Sequence, residues 1–384
     1  HRRGKGIQLF SGQKFILDSP QAIRGNIRRA VVDMRRAMDW LSRRPEINPH
    51  AVSMAGASLG GIVASLSYKV EPRFRTGVFV MAGSGVSVTV FERDEPGCGA
   101  TRVAAGMLAP IGELDFGEPD LLALNLRSRR LYREFTGEVE RATGLDTGYR
   151  HTGALHVALD RDEAGELKRE MELQRSHGLE SKWLGPIAAR DLEPGVSPSL
   201  AGAVLVEEDA VVDPRALVEA LRAGLAQRGV EIVSAEVTGL ERDSAGRVRG
   251  VGTSIGSFAA ATVVAAPGAV AGVAGWLPEE VRPPVRPVKG QTVELRGPSE
   301  DPVCERILGS ERVYIAPRPD GRVILGATSE EMGFDTRVTG GGVHELLREA
   351  YRLLPDVAEM EFVGAVAGLR PGTPDNLPII GRTG

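Results

Sequence analysis

Val86–Pro110 reads VSVTVFERDEPGCGATRVAAGMLAP. Its first six residues alternate and are rich in β-branched side chains, which predicts a strand. The strand ends at Glu92, an acid in the position where a dinucleotide fold accepts hydrogen bonds from an adenosine ribose. Arg93 follows, then Gly97, Gly99, Ala100, Thr101, Ala104, Ala105 and Gly106, and then Met107 and Leu108. Side chains this small let backbone N–H groups come close to a pyrophosphate or a flat ring.

The chain around this stretch has 384 residues, enough for two or three domains at about 150 residues each. Hydrophobic residues make up 42%, charged residues 26%, and mean hydropathy is -0.10, values of a globular chain able to bury a core. No apolar run approaches the roughly 18 residues that a membrane-spanning helix needs. Two cysteines, Cys98 and Cys304, cannot form a disulfide framework, so a reducing, cytoplasmic setting is expected. Arg2 and Arg3 precede a stretch broken by Ser11, Gln13 and Lys14, which argues against an export signal. Net charge is -4, but residues 1–85 carry +9 and residues 86–384 carry -13. The basic residues are spread along a predicted helix without aromatic interleaving, so neither nucleic acid nor membrane is expected as a partner.

Residues 26–44 place Ile27, Val31, Met34, Met38 and Leu41 at helical spacing, and residues 51–55 read as a short buried strand. Gly56-Ala57-Ser58-Leu59-Gly60 follows, with a helix expected from Ile62 and a strand at 76–81. Strand, G-x-S-x-G, helix is the context of a nucleophile elbow, in which Ser58 would attack and the Leu59 N–H would help hold an oxyanion. Residues 20–83 resemble the α/β-hydrolase family on this basis. The downstream histidines, His151 and His156, sit in a different pattern, and a serine without a positioned base is a weak nucleophile. Serine hydrolysis is therefore the alternative reading, with a non-functional fusion fragment beside it.

Downstream, Asp213-Pro214 starts a helix, with Asp213 as N-cap and Pro214 in the first turn. A strand is expected over 231–240, helices over 120–143 and 161–177, and strands near 153–160, 291–296, 312–317 and 322–327. Gly340-Gly341-Gly342 precedes a helix expected at 343–354. A dinucleotide fold also needs G-x-G-x-x-G before its acid. Gly83-Ser84-Gly85 provides the first two glycines, but position 88 is Val and Glu92 follows too soon for a helix between. The strand at 51–55 and its glycine turn are the expected substitute, lying beside the strand at 86–91.

Residues 86–384 resemble the D-amino-acid-oxidase-like flavoproteins, most nearly the glycine oxidase branch of thiamine biosynthesis. The matching text is VTVFERDEPGCGAT with AAGMLAP, then VVDPRAL, VVAAPGA, RPVKGQ, VYIAPR and GLRPGTPD. The resemblance implies FAD held by Glu92, Arg93, Ala100, Thr101, Ala104, Ala105, Gly106, Met107, Leu108, Val237, Ala266 and Gly268. It also implies a small amino acid gripped by Arg370 and Tyr314, hydride transfer to the flavin, and reoxidation by molecular oxygen to give hydrogen peroxide. The guanidinium of Arg370 offers a planar fork suited to a carboxylate, and the Tyr314 phenol can donate to the same group. Where some relatives carry a histidine two residues before the tyrosine, Arg312 stands here. The family continues into a further arginine-bearing segment, whereas this sequence ends at Gly384, so a weakened cofactor site is expected.

The expected fold is α/β: a discontinuous Rossmann-like FAD domain (86–145, 201–282 and 346–384), an antiparallel-sheet substrate domain (146–200 and 283–345), and the hydrolase-like 1–85. No metal is expected, and a homo-oligomer is compatible with this reading.

Overall fold

The computed structural model describes residues 53–57, 76–80, 87–114 and 118–381. The chain divides into two units, His1–Val88 and Thr89–Gly384. In the first, β1 (Ser53–Ala57) and β2 (Thr76–Val80) pair in parallel, with Ser53 against Thr76. Parallel neighbours need a crossover of a dozen or more residues, and 58–75 is long enough. Any β-crossover-β unit gives this pair, so it does not single out a hydrolase. Ser58, Leu59 and the predicted helix at 26–44 lie outside the described residues.

The second unit opens with β3 (Thr89–Glu92), a short helix α1 (Ala100–Val103), β4 (Met107–Leu108) and the long α2 (Pro119–Thr143). Pro119 suits a first helical turn, and Gly144 ends α2 at φ 74°, where glycine has no Cβ penalty. Next come β5 (Ala154–Ala158) and α3 (Arg161–Ser176), capped by the Asp160 carboxylate, which accepts from the Asp162 and Glu163 N–H groups. They are followed by β6 (Lys182–Leu184), α4 (Pro186–Leu192), β7 (Gly202–Val206), β8 (Ala210–Val211) and α5 (Pro214–Gln227). Asp213 caps α5 as expected, accepting from the Arg215 and Ala216 N–H groups. The strand expected over 231–240 is two, β9 (Glu231–Ser234) and β10 (Val237–Arg242). The chain changes partner between them: β9 runs parallel to β3, while β10 joins β11 (Val248–Thr253) and β12 (Gly256–Ala259). The pairing expected between strand 51–55 and strand 86–91 would join the two units; within each unit, among the described residues, β1 pairs with β2 and β3 pairs with β9.

The remaining elements are β13 (Arg286–Arg296), β14 (Ile307–Gly309), β15 (Tyr314–Pro317), β16 (Arg322–Gly326), α6 (Gly340–Leu353) and β17 (Glu361–Gly372). β13 starts five residues before the predicted 291, at Arg286. Pro287 is tolerated there because β16 pairs only with Thr292–Arg296 and the bridge from Glu330 reaches only Lys289, so Pro287 itself has β17 alone as partner. α6 starts at Gly340 rather than 343, because the Thr339 hydroxyl accepts the Gly342 N–H and takes the glycines into the first turn.

Eight strands form one mixed sheet in the order β17-β13-β16-β15-β14-β5-β7-β6. β7 comes from the segment assigned to the FAD domain (201–282) and β17 from 346–384, yet both lie in this sheet. Alternation sorts its side chains. On one face Leu155, Val157, Val293, Leu295, Ile315 and Leu325 pack with Leu346 and Leu353 of α6 in the main core. On the other, Ala158, Val204 and Val206 pack under Leu167 and Met171 of α3, and Ala316 and Ile324 pack with Ala105 and Met107. The candidate site lies on this second face. No helix among the described residues is long and apolar enough to cross a membrane. Cys98 is exposed and Cys304 buried, and both are free thiols.

Candidate active site

One register row crosses the sheet: His156 on β5, Gly309 on β14, Tyr314 on β15, Gly326 on β16, Thr292 on β13 and Val366 on β17. Residues directly opposite one another share a face, so this row forms a floor. Glycine alternates with the larger side chains, and that leaves room for them to lie flat. A Cβ on Gly309 would stand 2.8 Å from His156 Nδ1, and one on Gly326 would strike the Tyr314 phenol. Gly290, two residues before Thr292 on the same face, does the same for Arg370: a Cβ there would come within 2.5 Å of its Nη1.

Tyr314 and Arg370, expected together, are brought together. Burial pushes the Tyr314 phenol up to about 12, against the opposing pull of the Arg370 charge. It is therefore a protonated donor at neutral pH. Arg370 Nη1 donates to the Thr328 carbonyl at 3.1 Å. Among the described residues Arg370 makes no ion pair within 4.0 Å, and the Tyr314 hydroxyl makes no hydrogen bond. Arg312 is exposed in the turn before β15, where its N–H reaches Ser310 Oγ at 3.3 Å.

Beside Tyr314 is a cavity of about 180 Å³, lined by Met107, His156 and Tyr314 together with five glutamates, among them Glu113, Glu163 and Glu311, and by no lysine or arginine. A Cβ on Gly112, which lines this cavity, would strike His156 Nε2 and stand 2.9 Å from Asp209 Oδ2. His156 Nε2 and Asp209 Oδ1 are both shut off from solvent with no partner among the described residues. Burial lowers His156 to about 4, which keeps the imidazole neutral. Asp209 is fully buried, and burial raises it to about 7 although the Gly112 N–H donates to it at 3.1 Å. In the sequence His156 lies in a pattern unlike that of a hydrolase base. Nothing in the chain's order marks it as a neighbour of Tyr314, because the register of β5 on β14 makes it one.

The residues expected to hold the cofactor fall into two groups. Glu92 ends β3 and Arg93 follows it, standing 3.7 Å from Glu236, next to Val237. The second group is α1 and its extension. Thr292 Oγ1 donates to the Val103 carbonyl at 3.3 Å, and Gly368 leaves space for Val103, so α1 lies against β13 and β17. Gly106 has φ 74° and no room for a Cβ against the Val212 carbonyl. Arg318 donates to the Ala105 carbonyl, while Met107 and Leu108 are held as β4 on β8. The turn Gly268–Val273, which follows Ala266, packs on β13 and β17 as well. Ala100, Thr101, Ala104, Ala266 and Gly268 are all exposed, and a Cβ on Gly99 or Gly268 would meet nothing within 4 Å. Val264 beside them is 85% exposed. Small and apolar surface left bare in this way fits a large flat group laid against the backbone, as FAD would be.

A parallel β3–β9 pair with an acid at its end, together with a mixed sheet that carries an arginine and a phenol on one face, is compatible with a dinucleotide-binding α/β protein. Residues 79–384 match the model of a family described as FAD dependent oxidoreductase. The chain belongs to that family, whose cofactor is FAD. The match begins at Phe79, before the boundary of 86 expected from the resemblance, and lends no support to a hydrolase at 20–83. The chain is 36% identical over 329 residues to the bifunctional protein ThiO/ThiG of Trichormus variabilis, covering 85% of this chain and 47% of that protein. Residues 86–384 alone cannot supply that share, so this match also reaches into the first 85 residues. The chain thus spans about half the length of this bifunctional relative. It is 35% identical over 307 residues to the glycine oxidase of Geobacillus kaustophilus, covering 79% of this chain and 80% of that enzyme. The crystal structure titled glycine oxidase from Geobacillus kaustophilus superposes with a TM-score of 0.70 at 33% identity, covering 86% of each chain.

Proposed function

We propose that this chain oxidises a small amino acid, glycine first, at the carbon bearing its amine, and that Arg370 and Tyr314 grip the substrate carboxylate. One observation carries the reading: a guanidinium and a protonated phenol share a glycine floor, and among the described residues neither makes an ion pair or hydrogen bond to an acid, although the buried Glu113 carboxyl feels the Arg370 charge at longer range. An arginine fork and a phenol donor together match a carboxylate, with charge-assisted bonds from the former. Holding the carboxylate at two points orients the rest of a small substrate and lowers the entropic part of the barrier.

Glu92, Arg93 and Val237 would hold the adenosine end of FAD, and Ala100, Thr101, Ala104, Ala105, Gly106, Ala266 and Gly268 would flank its pyrophosphate and ring, with Met107 and Leu108 towards the substrate. Bound FAD would supply the hydride acceptor and, with molecular oxygen as the final oxidant, the route to hydrogen peroxide; the imine so formed would take up water to give the oxo acid and ammonia. The chain's residues bind, orient and exclude water around that step. The glutamate-lined cavity next to Tyr314 disfavours a second carboxylate, which supports glycine and small neutral amino acids over diacids. The same reading places the reaction in thiazole formation for thiamine, with the chain as a soluble, cytoplasmic enzyme.

FAD-loaded protein supplied with glycine or D-alanine should release hydrogen peroxide and ammonia in equal amounts. Protein that retains flavin but releases neither product from either amino acid would sink the reading.

A further inference from the structure

β13 presents Gly290 and Thr292 to the substrate face, and therefore Lys289 and Gln291 to the other. Lys289 and Gln291 are both fully buried. An ammonium in such a place costs several kcal/mol unless it is paired. Its partner is Glu330, with Nζ 3.3 Å from Oε2. Lys289 and Glu330 also exchange both backbone hydrogen bonds, each at 2.9 Å. Glu330 Oε1 in turn accepts from the Gln291 amide and the Thr328 hydroxyl, both at 2.6 Å. The Thr328 hydroxyl accepts the Gln291 backbone N–H at 2.9 Å, so its single proton is committed to Glu330. Gln291 Oε1 accepts the Thr339 N–H at 2.8 Å, which ties the start of α6 to the same cluster. Burial works against the charge on Glu330, but the hydrogen bonds from Gln291 and Thr328 and the neighbouring Lys289 charge outweigh it and lower its pKa.

This cluster pins Thr328 on the side of the sheet away from the substrate, while the Thr328 carbonyl receives Arg370 Nη1. Arg370 needs that contact. It lies over Gly290, which has no side chain to wedge it, and it is exposed. A long side chain in such a position samples several rotamers unless something fixes it. One N–H committed to a rigid carbonyl fixes the plane of the fork and leaves its other donors for a carboxylate. We infer that Glu330 is a positioning residue for substrate binding, which acts through Thr328 to orient Arg370. The inference rests on the assignment of Arg370 to the substrate carboxylate.

The test uses FAD-loaded enzyme, glycine turnover, and glycolate as a carboxylate probe whose binding is read from the flavin spectrum. In Glu330→Gln the KM for glycine and the Kd for glycolate should rise together, by about tenfold, as Arg370 loses its fixed orientation and its charge-assisted contact to the carboxylate weakens. The fall in kcat should stay under about threefold, and Glu330→Asp should recover part of the affinity. In an Arg370→Ala background the same Glu330 change should have no further effect on glycolate, an outcome a purely structural role would not produce. If Glu330→Gln does not fold, Thr328→Val, which removes the hydroxyl and keeps the carbonyl, takes its place with an expected rise of about threefold. Unchanged glycolate affinity in the Glu330 or Thr328 variant, with Arg370→Ala weakened, would overturn this inference alone. Unchanged glycolate affinity in Arg370→Ala would overturn the assignment of Arg370 itself.

Discussion

On the substrate side of the eight-stranded sheet, Arg318 and Arg322 stand 3.7 and 2.9 Å from Asp213, and Arg215 stands 2.7 Å from Glu294. Arg370, on the same face, has a neutral carbonyl as its partner. The first region is closed. Asp213 caps α5 and also balances two guanidiniums, and Arg318 is only 5% exposed. The second is open: three glycines lower the floor beneath His156, Tyr314 and Arg370. Where the chain provides acids for its own arginines, the arginine welds a helix to the sheet. Where no acid comes within ion-pair distance and the space is cleared, as around Arg370 with Glu113 acting only at longer range, the arginine keeps donors for an acid from outside.

Four substitutions test this contrast, in order of expected size. Arg370→Ala should lower kcat/KM for glycine by at least about a hundredfold, as expected when one partner of a charged pair is lost, and leave unfolding free energy within about 0.5 kcal/mol. Asp213→Ala should do the reverse. Two guanidiniums lose their acid and α5 loses its cap, so urea unfolding should show a loss of about 3 kcal/mol or more, with the glycine KM little changed. A large activity defect without a stability defect in that variant would erase the distinction between the two regions.

Asp209 and His156 sharpen the picture through pH. The folded state holds a proton on Asp209 up to about 7, so this group favours folding in acid and loses that contribution as pH rises from the usual carboxylate range through 7. His156, lowered to about 4, does the opposite: the unfolded chain binds more protons between about 4 and 6.5, so its contribution grows as pH rises through that window. The two oppose each other over the shared range. Asp209→Asn should unmask the histidine, and stability should climb by on the order of 2 kcal/mol from pH 4 to 6.5, measured by urea unfolding at each pH. A flat profile would mean that His156 is not held neutral by burial. The smallest change expected is Tyr314→Phe, a loss of about tenfold in kcat/KM for one hydrogen bond to a carboxylate, with KM carrying most of it.

Much of the architecture was legible in the chain. The N-cap at Asp213, the helical period of 120–143 and the motifs around Arg370 and Tyr314 are local patterns, and local patterns follow from side-chain chemistry over a few residues. The run 231–240 misled because the hydrophobic pattern persists where the strand changes partner, and only the partners show the break at Ala235 and Glu236. The G-x-S-x-G at residues 56–60 was read as a hydrolase elbow from a pattern that a strand-turn-helix of another family also satisfies.

Residue chemistry along the chain was sufficient to nominate an acid for a ribose, small residues for a flat cofactor, and an arginine and a tyrosine for a carboxylate. It could not show that His156 shares a row with Tyr314, that Gly290, Gly309 and Gly326 form a floor, or that Lys289 and Glu330 stand behind Arg370. Those relations join residues far apart in the chain through strand register, and register is set by which faces the whole sheet buries.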